Sequence, residues 1–177
     1  QTWPDLHAAS TLGGGTFGTV YACTKTDAVT GVTQKEAVKV VRVDFTPEDR
    51  ANAEEEGIPF ADYYRAVKEK RLQEIRWMVA LKSPHIVHIN GYTAIEEPDH
   101  SALYILIRMD CLTALDQLRP AHLDDTPEQA AALAEKVALD ICDALRVCHQ
   151  NGVLHRDIKP ANILCSDAGD FYLGDFG

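Results

Sequence analysis

His155-Arg156-Asp157-Ile158-Lys159-Pro160-Ala161-Asn162 is the stretch on which the reading of this chain turns. Within eight residues it sets a carboxylate, an ammonium group and a side-chain amide, between apolar segments able to hold them rigidly. Asp157 can accept a proton from a hydroxyl. Lys159 can neutralise a transferring phosphoryl group. Asn162, and Asp175 further on, can offer oxygens to Mg²⁺. Phosphoryl transfer to an alcohol needs those residue types in that order. A polar loop with a few salt bridges would use them too, so the rest of the chain decides.

Upstream, residues 7–24 hold two extended segments around the cluster Leu12-Gly13-Gly14-Gly15-Thr16-Phe17-Gly18-Thr19-Val20-Tyr21. Glycine lets the backbone approach a ligand closely. The β-branched and aromatic flanks predict strand–loop–strand, whereas a dinucleotide-binding G-x-G-x-x-G runs from strand into helix. Gly14 adds flexibility to the loop. The spacing alone does not separate a ligand loop from a plain hairpin. A turn at Thr30-Gly31 leads into Glu36–Val43, a strand buried on at least one face, which carries Lys39. Taken alone, Lys39 would read as an exposed residue of an edge strand.

Residues 44–60 are polar and acidic and read as a solvated loop or short helix. Ala61–Lys82 is rich in helix formers, with an incomplete apolar stripe through Val67, Leu72, Ile75, Met78, Val79 and Leu81. Glu74 lies near its centre. Ser83-Pro84 stops the helix. Residues 86–89 and 91–95 look extended, and Leu103–Met109 reads as a buried strand. His85, His88 and His100 lack ligand spacing and read as surface or loop residues.

The second half changes character. Leu112–Leu118 suggests a short helix. Thr126-Pro127-Glu128-Gln129 is a helix start, with a Thr N-cap, Pro at the first position and Gln three residues after the cap. Leu133, Val137, Ile141, Ala144, Leu145 and Cys148 then mark one face, and Asn151-Gly152 ends the helix. After the opening stretch, Ile163-Leu164-Cys165 and Phe171-Tyr172-Leu173 read as strands around a turn at 167–170.

A length of 177 residues allows one domain or two small lobes. The formal net charge of −10 argues against a nucleic-acid surface, which needs clustered Lys and Arg. No apolar run approaches the roughly 20 residues that span a bilayer. The five cysteines show no metal-ligand spacing and imply reduced thiols in a cytosol-like compartment; Cys142 and Cys148 read as packing residues of the helix.

In order along the chain stand Gly13-x-Gly15-x-x-Gly18-x-Val20, Ala37-Val38-Lys39, the loop from His155 to Asn162, and Asp175-Phe176-Gly177. This set resembles the protein kinase family, from about His7 to Gly177. The resemblance implies an α+β bilobal fold: residues 1–110 as an N-lobe with a five-stranded antiparallel sheet and one helix, and 111–177 as the first part of a mainly helical C-lobe. It implies ATP and Mg²⁺ as cofactors and a protein substrate with a Ser or Thr acceptor, in the cytoplasm. Leu12, Gly13, Gly14, Gly15, Thr16, Phe17 and Gly18 would fold over the ATP phosphates. Val20, Ala37 and Leu164 would sandwich the adenine, Ile107 would stand as gatekeeper, and backbone groups of Arg108 and Asp110 would meet the adenine edge. Lys39 would contact the α- and β-phosphates, held by Glu74, which lies ten residues before Pro84. Asp157 would be the catalytic base, Lys159 the γ-phosphate cation, and Asn162 and Asp175 the Mg²⁺ ligands. His155, Phe176, Met78 and Ile89 match the family's apolar spine. Lys159-Pro160 resembles serine/threonine rather than tyrosine kinases, and Arg156 resembles the arginine that receives a phosphorylated activation loop.

The Lys39-to-Glu74 interval is long for the family, which fits the acidic insert. The chain begins at Gln1 and stops directly after the last motif, so an excerpt of a longer protein is expected, with little or no activity of its own on protein substrates. A nucleotide-binding pseudokinase and a small-molecule kinase of the same fold are the competing readings. The first sits poorly with the presence of Lys39, Glu74, Asp157, Asn162 and Asp175 together. The second sits poorly with the full glycine loop and Lys159-Pro160.

Overall fold

A computed structural model describes residues 3–15, 18–27, 29–118 and 125–175. Thr16, Phe17, Phe176 and Gly177, all named above, lie outside the described residues. The chain forms two compact units: Gln1–Met78 with Ile89–Asp110, and Val79–His88 with Cys111–Gly177.

The first unit is a five-stranded antiparallel sheet with helices, as the α+β reading requires. Its elements are β1 (Leu6–Gly15), β2 (Gly18–Thr26), β3 (Thr33–Asp44), α1 (Pro47–Glu55), α2 (Phe60–Ala80), β4 (Ile89–Glu96) and β5 (Ala102–Asp110), with strand order β1-β2-β3-β5-β4. The glycine cluster is indeed the end of a hairpin, with Gly15 opposite Gly18. Asp27 builds the next turn. Its Oδ1 accepts the Val29 N–H at 2.9 Å and the Thr30 N–H at 2.7 Å, and Gly31 takes φ +70°.

Alternation along the strands sorts the side chains. Val20 stands opposite Lys39, Lys39 opposite Ile107, and Ala37 opposite Met109, so these five share one face. Val41, Val43, Leu103, Ile105 and Ile107 continue that face into a core with Phe45, Tyr64 and Ile75. Glu36 and Arg108 belong to the other face, where Arg108 grips Glu36 through two hydrogen bonds, from Nε to Oε2 and from Nη2 to Oε1 at 2.9 Å.

The acidic insert takes the short-helix option, giving two helices here rather than one. Thr46 and Asp49 explain why: the Asp49 N–H donates to Thr46 Oγ1 at 3.2 Å and the Thr46 N–H to Asp49 Oδ2 at 2.7 Å, a capping box with Pro47 in the first turn. α2 buries Tyr64, Leu72 and Ile75 along one stripe. Its first turns sit in an aromatic cluster in which Phe45 lies 4.6 Å from Tyr64, and Tyr64 lies 4.5 Å from His100. His100 is an exposed loop residue, as read, that also packs its ring against Tyr64.

The second unit contains β6 (Thr113–Ala114), α3 (Leu115–Leu118), α4 (Pro127–Gln150), a 3-10 turn (Pro160–Asn162), β7 (Ile163–Cys165) and β8 (Phe171–Leu173). The start of the expected short helix is a strand instead, because Thr113 and Ala114 pair with Cys165 and Leu164. The capping box at Thr126 forms as read, with the Gln129 N–H on Thr126 Oγ1 at 3.3 Å and the Thr126 N–H on Gln129 Oε1 at 2.8 Å. α4 lays Ile141, Ala144 and Cys148 into a core with Leu81, Ile86, Ile163, Phe171 and Leu173. Cys142 is not a packing residue: one step past Ile141 turns it about 100° off the stripe, and it is exposed. Among the described residues no helix is long and apolar enough to cross a membrane.

Candidate active site

The loop after α4 is built on its own hydrogen bonds. α4 ends at Gln150 with Asn151 as its C-cap, and Gly152 turns the chain with φ +72°. His155, only 3% exposed, accepts the Asp157 N–H on Nδ1 at 3.3 Å. That places the ring proton on Nε2, which donates to the Gly174 carbonyl at 2.7 Å. The Gly174 N–H in turn donates to the Asn162 carbonyl at 2.9 Å. Two hydrogen bonds thus tie the loop to the residue before Asp175.

Asn162 is 4% exposed and uses its amide nitrogen twice, on the Asp157 carbonyl at 2.7 Å and on Asp157 Oδ2 at 2.9 Å. Lys159 Nζ donates to the same Oδ2 at 2.7 Å. Both side-chain donors on the carboxylate therefore meet one oxygen, leaving Oδ1 for a further donor. The Lys159 hydrogen bond, aided by that of Asn162, holds the Asp157 carboxyl below its usual range despite some opposing burial. The group is a carboxylate throughout the neutral range. The apolar flanks hold the loop as expected, with Ile163 buried in the core and Val153 and Cys165 packed against it, while Leu154 and Ile158 are 62% and 51% exposed, so the polar contacts add to that hold.

Two residues here adopt a left-handed backbone without being glycine: Arg156 at φ +66° and Asp175 at φ +55°. Such conformations cost on the order of 1–3 kcal/mol and concentrate at functional sites. The sequence reading did not single out Gly174. A Cβ there would lie 3.1 Å from Leu164 Cδ1 and 3.2 Å from Val87 Cγ2, so a larger residue would push these two side chains aside by a few tenths of an ångström.

The donor chemistry suits Mg²⁺. With both Asn162 amide hydrogens used, its Oδ1 is the atom left for a cation, and Asp175 adds a carboxylate. Hard oxygen ligands in small number, completed by substrate phosphates and water, are the usual Mg²⁺ arrangement.

Of the other expected residues that the structure describes, Leu164 lies in the second unit and the rest in the first. Lys39 projects from β3 on the face it shares with Val20, Ala37 and Ile107, and burial pulls its ammonium pKa from 10.5 down to about 8. Glu74, half-exposed on α2, accepts from Arg71 Nη1 at 3.2 Å, a local pair that the sequence reading did not anticipate. Gly13 has nothing within 4 Å of where a Cβ would stand, whereas a Cβ on Gly18 would meet the Val40 carbonyl oxygen at 2.4 Å. Gly18 is thus demanded by the sheet itself, with φ +119°. The Arg108 side chain is occupied by Glu36, and Asp110 accepts from Asn90 Nδ2 at 3.1 Å. Leu164 sits on β7 opposite Tyr172.

A sequence profile described as "Protein kinase domain" matches residues 6–177. Aurora kinase B of Drosophila melanogaster is 35% identical over 111 residues, covering 63% of this chain and 32% of that protein. "Serine/threonine-protein kinases drp72" of Corynebacterium efficiens is 30% identical over 145 residues, 80% of this chain and 24% of that protein. The serine/threonine-protein kinase PknH of Mycobacterium bovis is 33% identical over 110 residues, 62% and 17% respectively. The matched part makes up about a third or less of each of these relatives. Motif order, the antiparallel sheet and the match over nearly the whole chain agree: the chain belongs to the protein kinase domain family.

Proposed function

We propose that this domain transfers the γ-phosphoryl group of ATP to a Ser or Thr hydroxyl of a protein, with Mg²⁺. The observation that carries the reading is the asymmetric Asp157 carboxylate, with Lys159 and Asn162 both on Oδ2. Oδ1 is then the acceptor for the substrate hydroxyl, and Asp157 orients it and takes its proton. Lys159 stands beside that oxygen as the cation for the incoming phosphoryl group. Asn162 Oδ1 and the Asp175 carboxylate would hold Mg²⁺, whose charge would screen the phosphates when bound. Transfer of this kind rests on positioning and charge stabilisation more than on covalent chemistry.

On the nucleotide side, Lys39 pairs with the α- and β-phosphates, and Glu74 leaves Arg71 to steady it. Leu12, Gly13, Gly14 and Gly15 cover the phosphates. Val20, Ala37 and Ile107 are the first unit's apolar residues for the adenine and Leu164 the second unit's, and the backbone of Arg108 and Asp110 serves the adenine edge. The Lys159-Pro160 pair and the names of the bacterial relatives support a Ser or Thr acceptor. The odd number of cysteines and their lack of metal-ligand spacing support a cytoplasmic setting.

The test is transfer of labelled phosphate to three versions of one peptide bearing Ser, Thr or Tyr, by the protein that carries this domain. Label on the Ser and Thr peptides, dependent on Mg²⁺, is expected. Label on Tyr alone would remove the substrate assignment, and no transfer to any peptide would favour the pseudokinase or small-molecule reading.

A further inference from the structure

β8 is short, but its backbone polar groups are claimed by side chains and strands outside its own hairpin. The Phe171 N–H donates to Asp140 Oδ2 at 3.0 Å, and the Phe171 carbonyl lies 3.0 Å from His85 Nδ1. The Leu173 N–H donates to the His85 carbonyl at 2.8 Å, and the Leu173 carbonyl accepts the Val87 N–H at 3.0 Å. The next residue, Gly174, is held at both its N–H and its carbonyl, by Asn162 and His155. Asp175 follows directly.

Asp140 is an unusual residue for its place. It lies on the buried stripe of α4, only 8% exposed, among Ile141, Ala144 and Cys148. An ionised carboxylate there is costly unless it is paired and hydrogen-bonded. Burial pushes its carboxyl up, but Lys136 and the Phe171 N–H, with His85, outweigh this and leave it below its usual range. Lys136 Nζ reaches Asp140 Oδ2 at 2.9 Å and Asp170 Oδ1 at 3.1 Å, so the same ammonium also braces the turn before β8. His85 Nε2 stands 3.7 Å from Asp140 Oδ1, completing a bracket around Phe171. A buried apolar residue would pack α4 equally well; the carboxylate is explained by what it does for β8.

We propose that Asp140 and His85 are positioning residues that clamp the Phe171 backbone from two sides and so fix the aim of Asp175. The proposal rests on the reading of Asp175 as a metal ligand. The clamp acts three to four residues upstream of that ligand, through backbone with no slack: every step from Phe171 to Gly174 is hydrogen-bonded outside the hairpin or, at Tyr172, paired with Leu164. Partners beyond the ligands of a metal site commonly change affinity by about 10–100-fold when removed.

The experiment compares wild type with Asp140→Ala, Asp140→Asn and His85→Ala. It follows Mn²⁺ binding by electron paramagnetic resonance with a non-hydrolysable ATP analogue present, and amide hydrogen exchange of residues 171–174. Asp140→Asn keeps an oxygen for the Phe171 N–H and serves as the folded control. Asp140→Ala is expected to weaken Mn²⁺ about tenfold and to speed exchange at Phe171 and Leu173, with His85→Ala intermediate and Asp140→Asn close to wild type. Wild-type Mn²⁺ affinity in Asp140→Ala overturns the proposal, as does equal loss in Asp140→Asn and Asp140→Ala. If wild type itself holds no Mn²⁺, the metal reading of Asp175 fails instead. Exchange then decides the clamp alone: faster exchange in Asp140→Ala upholds it and unchanged exchange refutes it.

Discussion

At the scale of single residues, charge state carries most of the account. Lys39 titrates near pH 8 because burial disfavours its ammonium form. Its folded pKa lies below the ordinary 10.5, so between those values the unfolded chain binds more protons and stability rises with pH; the cost of burying the ammonium is fully present below about pH 8. Phosphate binding needs the opposite, the protonated form. Affinity for ATP should therefore fall as pH rises through about 8, by up to about tenfold per pH unit, and Lys39→Arg should lack this limb. Calorimetric titration of the nucleotide from pH 7 to 9.5 checks this; a flat profile would show that Lys39 does not meet phosphate. Asp157 titrates well below this range, so it adds no limb near neutrality. The pairing of Asp157 with Asn162 on one loop was within reach of the sequence because it depends on spacing along a single stretch. Asp140 was not, because one acidic residue in an apolar helical stripe looks like a break in the pattern until the backbone that it serves, 31 residues further on, is in place.

At the scale of elements, the glycine hairpin separates two meanings of one residue type. Gly18 has positive φ and faces the Val40 carbonyl, so its need is internal. Gly18→Ala should lower stability by about 1–3 kcal/mol, seen in thermal unfolding with no ligand present. Gly13 has open space around it. Gly13→Ala should leave unfolding within about 0.5 kcal/mol of wild type while weakening ATP binding. The reverse pattern would assign the hairpin glycines wrongly. From the sequence all four looked alike, since only the register of β2 against β3 shows which one lies under a carbonyl. Helix ends were more legible. Thr126, Pro127 and Gln129 act within one turn of chain, and the capping box forms as read. The acidic insert kept its ambiguity because α1 depends on Thr46 and Asp49 at its start, while its own apolar content is small.

At the scale of the molecule, the resemblance carried by the motif order was enough to anticipate a five-stranded antiparallel sheet with helices, and the alternating apolar segments agreed with it. What motif order did not show is that Val79–His88 folds with the second unit. Ile86 bridges Leu173 in parallel, a pairing across 87 residues of sequence that no local pattern signals. The family assignment makes this a protein kinase domain, and Asp157 is the residue on which the proposed chemistry depends. The most direct test is the turnover of Asp157→Asn in the protein that carries this domain, with ATP affinity measured alongside. The account predicts a loss of about 10²–10⁴-fold in kcat with ATP binding little changed, because Asp157 meets the acceptor hydroxyl and not the nucleotide. Wild-type turnover in that variant would contradict it.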